Sequence, residues 1–131
     1  MMDQPSAAEI VTAVREFIDK HAMPQLSGRT AFHARVASNA LAIVLRELEH
    51  GPAAAAQETE SLKRLLGQGG SLEELNRELC KRIRAGQIDP LDPALQAHLI
   101  TTTLAKVEID QPNYSGFLHS PPQKHLILLH F

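Results

Sequence analysis

Three polar residues stand close together in a stretch that is otherwise apolar. His33, Arg35 and Asn39 lie in the segment AFHARVASNALAIVLRELEH, which runs from Ala31 to His50. Their side chains can together bind an anionic or amide-bearing ligand, because they supply charged and neutral hydrogen-bond donors. The segment predicts a helix, on which residues four apart such as Arg35 and Asn39 are neighbours. These three residues are therefore our candidate ligand-binding site.

Two other roles for the same residues stay open. The second half of the segment, residues 40–45, is apolar around the whole helix, which predicts burial on more than one side. Polar groups in a buried helix need partners. The simpler interpretation is that Arg35 and Asn39 bond to loop carbonyls or to a carboxylate of another helix. The other interpretation is that these residues belong to a surface that binds a partner protein.

The other histidines give no metal site. Glu47 and His50 have the E-x-x-H spacing that places two ligands over one metal ion on a bundle helix. A di-metal site needs a second such pair, and the sequence has none. His119, His125 and His130 lack the spacing of zinc ligands and have no cysteine pair nearby. The sequence therefore predicts neither a metal nor another cofactor.

Motifs for catalysis are missing as well. The only cysteine, Cys80, has no base near it in the sequence, and a free cysteine commonly behaves as a small hydrophobic residue. The glycine-rich stretch 67–71 lacks the lysine of a phosphate-binding loop. No nucleophile-elbow, metalloprotease or kinase signature is present. We therefore expect a non-catalytic protein.

Length and composition fit one α-helical domain. The chain has 131 residues, is 44% hydrophobic and contains no tryptophan, so leucine and alanine, both good helix formers, must fill the core. A net charge of −2 argues against nucleic-acid binding, and a lone cysteine fits a reducing compartment. The N-terminal segment lacks a signal-peptide pattern, and no apolar run reaches the roughly 18 residues of a membrane span. We expect a cytoplasmic protein.

Hydrophobic periodicity and capping residues predict five helices. They run from about Ala7 to Ala22, from Thr30 to His50, from Pro52 to before Gly67, from Leu72 to before Gly86, and from Pro93 to before Pro112. Gly51 is expected to cap the second helix. The expected fold is an all-α, single-domain bundle over residues 3–116, with the second helix central and buried. Residues 117–131 are expected to form an irregular C-terminal tail.

Four segments of the chain resemble an uncharacterised bacterial domain family. They are DQPSAAEIVTAVREFI, GRTAFHARVASNALAIVLREL, LNRELCKRIRAGQID and LAKVEIDQPNYSG, and the most specific piece is FHARVASNAL. Members of that family are encoded beside, or fused to, kinases similar to aminoglycoside phosphotransferases, often near genes for acyl-CoA dehydrogenase-like proteins. The resemblance implies an accessory protein of such a pathway. It does not imply a kinase, because the kinase motifs are absent from this chain.

Two functional hypotheses result. In the first, the chain is a non-catalytic accessory or interaction protein. Its partner is a phosphotransferase-like kinase or an acyl-CoA dehydrogenase-like protein, and homodimerisation is a further option. In the second, the bundle binds or converts a small molecule at His33, Arg35 and Asn39. Neither hypothesis involves nucleic acid or a membrane, and the sequence does not specify the ligand.

Overall fold

The computed structural model describes residues 3–119, and all regular structure within that range is helical. This confirms the all-α fold class. Four helices have between 11 and 39 residues, and a helix of four residues follows them. The helices are α1 (Ala7–Phe17), α2 (Gly28–Leu66), α3 (Leu72–Arg84), α4 (Pro93–Asp110) and α5 (Ser115–Leu118). They belong to two compact units, unit 1 (Met1–Pro52) and unit 2 (Ala53–Phe131).

Unit 1 is built from α1 and the first half of α2. Ser6 and Glu9 form the predicted capping box, in which Glu9 N–H donates to Ser6 Oγ and Ser6 N–H donates to Glu9 Oε2. After Phe17 the helix continues as a π-helical turn, Ile18–Ala22, and a 3-10 turn, Met23–Gln25. Gly28, at φ +58°, then lets the chain turn into α2.

The inward sides of the two unit 1 helices carry mostly small or aliphatic residues. On α1 and its π turn, Ala7, Val11, Arg15 and Ile18 are partly buried at helical spacing. On α2 the covered positions recur with the same period, at Ala31, Ala34, Ser38, Leu41 and Leu45. Small side chains at these positions allow two helices to approach closely.

The predicted second and third helices are one continuous helix, which corrects the expected count of five. Gly51 and Pro52 both lie inside α2, and Gly51 is not among the glycines with positive φ. It therefore does not form the left-handed cap that was predicted. The alanines that follow, Ala53 to Ala56, are the best helix formers and favour continuation beyond the proline.

The predicted burial of residues 31–50 is also wrong. In this part of α2 only Ser38 is buried, whereas Phe32 and Val36 are 59% and 49% exposed. The physical reason is that unit 1 contains one other α-helix, which is too little structure to cover α2 on every side. The most buried part of α2 lies in unit 2, at Leu62 and Leu66.

Unit 2 has a leucine core contributed by α2, α3 and α4. Its buried members are Leu62, Leu66, Leu75, Leu79 and Leu95. The predicted capping box of Ser71 and Glu74 begins α3, and the predicted cap by Asp92 with Pro93 begins α4. Acidic residues come first in α3 and basic residues last, which favours the helix dipole.

Arg82 joins α3 to the end of α2. Its guanidinium donates to the carbonyl oxygen of Leu66 (2.9 Å), to Gln68 Oε1 (2.7 Å) and to Glu78 Oε1 (2.8 Å). A cation at a helix C-terminus satisfies carbonyls that have no partner within the helix. The same contact lowers the pKa of Glu78, through its hydrogen bond from Arg82.

Most of the predicted tail lies outside the described residues, including His125, His130 and the apolar run Leu126–Leu129. Within the described part, α5 begins at Ser115, and His119 Nδ1 lies 2.6 Å from the Ser115 carbonyl oxygen.

The continuity of α2 predicts the effect of replacing Pro52. A proline inside a helix lacks one backbone donor and costs about 3 kcal/mol relative to alanine. We therefore expect Pro52→Ala to raise the free energy of unfolding, by up to about 3 kcal/mol, in urea denaturation. Pro93→Ala is the matched control, because Pro93 occupies the first turn of α4, where proline is tolerated. Equal effects at both positions would indicate that Pro52 begins a helix.

Candidate functional site

The three predicted ligand-binding residues are exposed on the first half of α2, and they do not converge. Arg35 and Asn39 are one turn apart and lie side by side. His33 is two residues before Arg35, so it lies on roughly the opposite side of the helix. Asn39 and Arg35 therefore form an exposed polar pair without His33. Ligand binding by these residues stays a prediction.

Large hydrophobic side chains occupy the exposed sides of α1 and α2 in unit 1. Seven of them are between 39% and 60% exposed: Ile10, Val14, Phe17, Phe32, Val36, Val44 and Leu48. We call these seven residues the outer face. The three on α1 recur at spacings of four and three, which places them in one stripe. The four on α2 recur at multiples of four, with exposed Ala40 between Val36 and Val44.

Both phenylalanines of the outer face have a histidine ring beside them. Phe17 stacks on His21 with ring centroids 6.1 Å apart, and Phe32 meets His33 edge-to-face at 5.6 Å. Each imidazole covers only part of its neighbour, since the two phenylalanines stay about 60% exposed. His33, taken from the sequence as a ligand-binding residue, is thus placed against an exposed apolar ring.

The charges of α1 and of the part of α2 in unit 1 are balanced. Residues 7–50 contain five acidic and five basic side chains. On α1 and its π turn, Lys20 Nζ lies 3.1 Å from Glu16 Oε1, and Arg15 Nε lies 3.7 Å from Asp19 Oδ2. Exposed pairs of this kind contribute little to stability. These ion pairs mean that the charged residues near the outer-face stripe of α1 already have partners.

Unit 2 contains a buried polar cluster that the sequence did not reveal. Ser61 Oγ of α2 lies 2.9 Å from His98 Nδ1 of α4. Glu58, one turn before Ser61, accepts a hydrogen bond from Asn76 Nδ2 of α3 (3.0 Å) and is 3.5 Å from Lys106 Nζ of α4. His98 and Glu58 are 4% and 9% exposed. The cluster therefore links three helices beside the leucine core.

A serine, a histidine and a carboxylate are also the side chains of a nucleophilic triad, but this arrangement favours a structural role. In a triad the carboxylate orients the imidazole and the serine is accessible to substrate. Here the hydrogen bonds and ion pair of Glu58 go to Asn76 and Lys106, and His98 is enclosed. The cluster satisfies buried polar groups and fixes how α3 and α4 meet α2.

Helical spacing was the signal that could have revealed this cluster. His98 comes three residues after Leu95, and Glu58 comes four residues before Leu62. Both therefore share the core-facing side of their helices. A polar residue on that side has to find a partner inside the protein.

The E-x-x-H pair, Glu47 and His50, is exposed at the end of unit 1. Among residues 3–119, no group of three or more His, Cys, Asp or Glu side chains is arranged to hold a metal ion. Over the same range, no helix has the length and apolar character to cross a membrane. Cys80 is exposed on α3.

The burial of His98 predicts a loss of stability in mild acid. Burial lowers the pKa of His98, the charge of Glu58 opposes this, and the charge of Lys106 adds to it. Protonation therefore favours the unfolded chain, so the stabilisation is complete above the ordinary histidine pKa of about 6.5 and is lost as the pH falls below it.

Urea denaturation at about pH 7.5 and about pH 5.5 measures this effect, above the range in which carboxylates titrate. His98→Asn retains a hydrogen-bonding group near Ser61 but cannot take up a proton, so we expect a smaller pH dependence. His33→Asn, at an exposed histidine, is the control and should behave as the wild type. An unchanged pH dependence in His98→Asn would contradict the assignment.

The exposure of Asn39 predicts that its replacement leaves the fold intact. Loss of a buried partner would cost about 1–3 kcal/mol, whereas an exposed side chain contributes within about 0.5 kcal/mol. We expect Asn39→Leu to unfold at the same urea concentration as the wild type. A destabilisation above about 1 kcal/mol would show that Asn39 pairs inside the protein, as the simpler sequence interpretation held.

Comparison with known proteins identifies the family. A family model described as a domain of unknown function, DUF6285, matches residues 24–114. The match covers α2, α3 and α4 and leaves α1 outside. No curated protein and no solved structure matches the chain. The comparisons therefore indicate no specific function, and they confirm the resemblance to an uncharacterised domain family. The chain belongs to the DUF6285 family of domains of unknown function.

Proposed function

We propose that this protein is a non-catalytic accessory module that binds other proteins through the outer face of unit 1. The observation that carries the proposal is the set of seven large hydrophobic side chains exposed on α1 and α2. Scattered apolar residues are normal on protein surfaces, but a contiguous patch marks an interaction site. On each helix these residues recur at helical spacing, so they form a stripe rather than isolated exposed side chains.

The outer face has the composition of a protein interface. Two phenylalanines and five aliphatic residues form an apolar centre, and interface centres are rich in aromatic residues and poor in charge. Arg35 and Asn39 are next to Phe32 and Val36 on α2 and supply a polar edge. In this role the candidate site residues contact a protein partner, with His33 on the apolar side and Arg35 and Asn39 on the rim.

The partner that the sequence resemblance implies is a phosphotransferase-like kinase. An accessory role fits the buried polar cluster of unit 2, whose arrangement favours a structural role over catalysis. The small-molecule alternative has weaker support, because the side chains that would converge on a ligand are divided between two sides of α2.

The proposal is tested by measuring binding to a phosphotransferase-like kinase encoded beside this protein. Val14→Glu with Val36→Glu places a charge on each helix of the outer face, and burying an unpaired charge weakens binding strongly. We expect at least a roughly tenfold loss of affinity for the kinase, or about 1.4 kcal/mol, by biolayer interferometry. Circular dichroism should show an unchanged fold, because both valines are half exposed.

Thr12→Glu is the matched control. It adds the same charge to α1 at an exposed position two residues before Val14, on the other side of the helix. Its kinase affinity should equal that of the wild type. Binding of the double variant as tight as that of Thr12→Glu would refute a role for the outer face.

A further inference from the structure

We propose that the outer face is covered by a second copy of this chain, so that two unit 1 hairpins form a four-helix bundle. This inference rests on the proposed function, because it names the occupant of the same surface. The functional module is then a homodimer, and the outer face contributes to kinase binding by forming the dimer that the kinase binds.

The first argument is the number of helices in unit 1. It contributes α1 and residues 28–52 of α2, and each of these helices has a covered side and an exposed side. A helix buries its apolar residues well when it has neighbours on more than one side, as in a four-helix bundle. A second identical hairpin supplies two more helices with the same apolar stripes.

The second argument is area. The seven side chains of the outer face are about half exposed on average. With about 150–200 Å² for a fully exposed side chain of this size, they present roughly 600 Å² per chain. Two copies would bury about 1,200 Å² in these side chains alone, which reaches the lower end of a stable interface, about 1,200–2,000 Å². Exposed Ala37 and Ala40 between the valines add to that area.

The third argument is charge. A symmetric dimer sets the same patch against itself, so a patch with net charge repels its copy. Between positions 7 and 50, which include the whole outer face, five acidic and five basic residues cancel. On α1 and its π turn, Lys20 forms an ion pair with Glu16, and Arg15 forms one with Asp19. The same balance disfavours a lipid surface, which selects basic amphipathic helices.

Sedimentation equilibrium at micromolar concentration measures the mass of the full chain. We expect twice the 14.4 kDa of one chain for the wild type and for Thr12→Glu. We expect the single-chain mass for Val14→Glu with Val36→Glu, corresponding to a roughly 100-fold or greater weakening of self-association. A wild type that is monomeric throughout would overturn the inference.

Charge complementation shows whether two copies of the outer face meet. Val14→Lys with Val36→Lys gives a second, oppositely charged chain that should also be monomeric. Mixing it with the glutamate variant should restore a dimer containing one chain of each kind, since opposite patches attract. Circular dichroism of each variant confirms folding. Two folded variants that stay monomeric after mixing, beside a dimeric wild type, would mean that the dimer forms elsewhere.

A chain that ends at His119 tests another occupant, the apolar run Leu126–Leu129, which lies outside the described residues. We expect this shorter chain to be a dimer like the full one. A monomeric full chain together with a dimeric short chain would assign the outer face to that run and overturn the inference.

The two proposals fail differently. A monomeric wild type whose kinase binding is lost in the glutamate variant would overturn the second copy but keep the accessory function, with the kinase itself on the outer face. A dimer that is broken in the variant without loss of kinase binding would keep the second copy and refute the role of the outer face in binding the kinase.

Discussion

The length of α2 is the constraint on which the rest of the structure depends. A helix of 39 residues contributes its first part to unit 1 and its second part to unit 2. In unit 2 it meets α3 and α4, and leucines from all three helices fill a core. In unit 1 the one other α-helix is α1. The difference in the number of neighbouring helices explains why Leu62 is fully buried while Phe32, on the same helix, is mostly exposed.

Unit 2 combines a nonspecific core with specific polar links. Leucines of similar size can pack in more than one register, whereas hydrogen bonds require defined positions. The link between Ser61 and His98 joins α2 to α4, and the link between Glu58 and Asn76 joins α2 to α3. Arg82 adds a bond from α3 to the last turn of α2. These bonds select one arrangement of the three helices from those that the leucines would allow.

Local features of the fold could be predicted from the sequence because they depend on a few adjacent residues. The caps at Ser6, Ser71 and Asp92 are examples. The continuation of α2 through this point could not be predicted, because Gly51 and Pro52 are typical of a helix boundary and are unfavourable inside a helix. The alanines after Pro52 favour continuation, and their effect is spread over several residues rather than given by one motif.

The polar cluster of unit 2 was missed for a different reason. Its members come from distant parts of the chain, and Ser61 and His98 are separated by 37 residues in sequence. Periodicity places each on a core-facing side but does not say which polar groups meet. The candidate site of unit 1 had the opposite problem, since His33, Arg35 and Asn39 are close in sequence, and a helix directs close residues to different sides.

The stretch from Ala40 to Leu45 is apolar around its circumference, and this was taken to mean burial within one chain. The hydrophobic effect favours the removal of an apolar surface from water, but it does not determine which molecule covers that surface. In this structure the side of α2 that carries Ala34 and Ser38 is covered, and the side that carries Val36 stays exposed. If the exposed apolar side of α2 is an interface with another chain, both of its apolar sides are explained. The pattern that predicted a buried helix and the exposure observed in the single chain are then consistent.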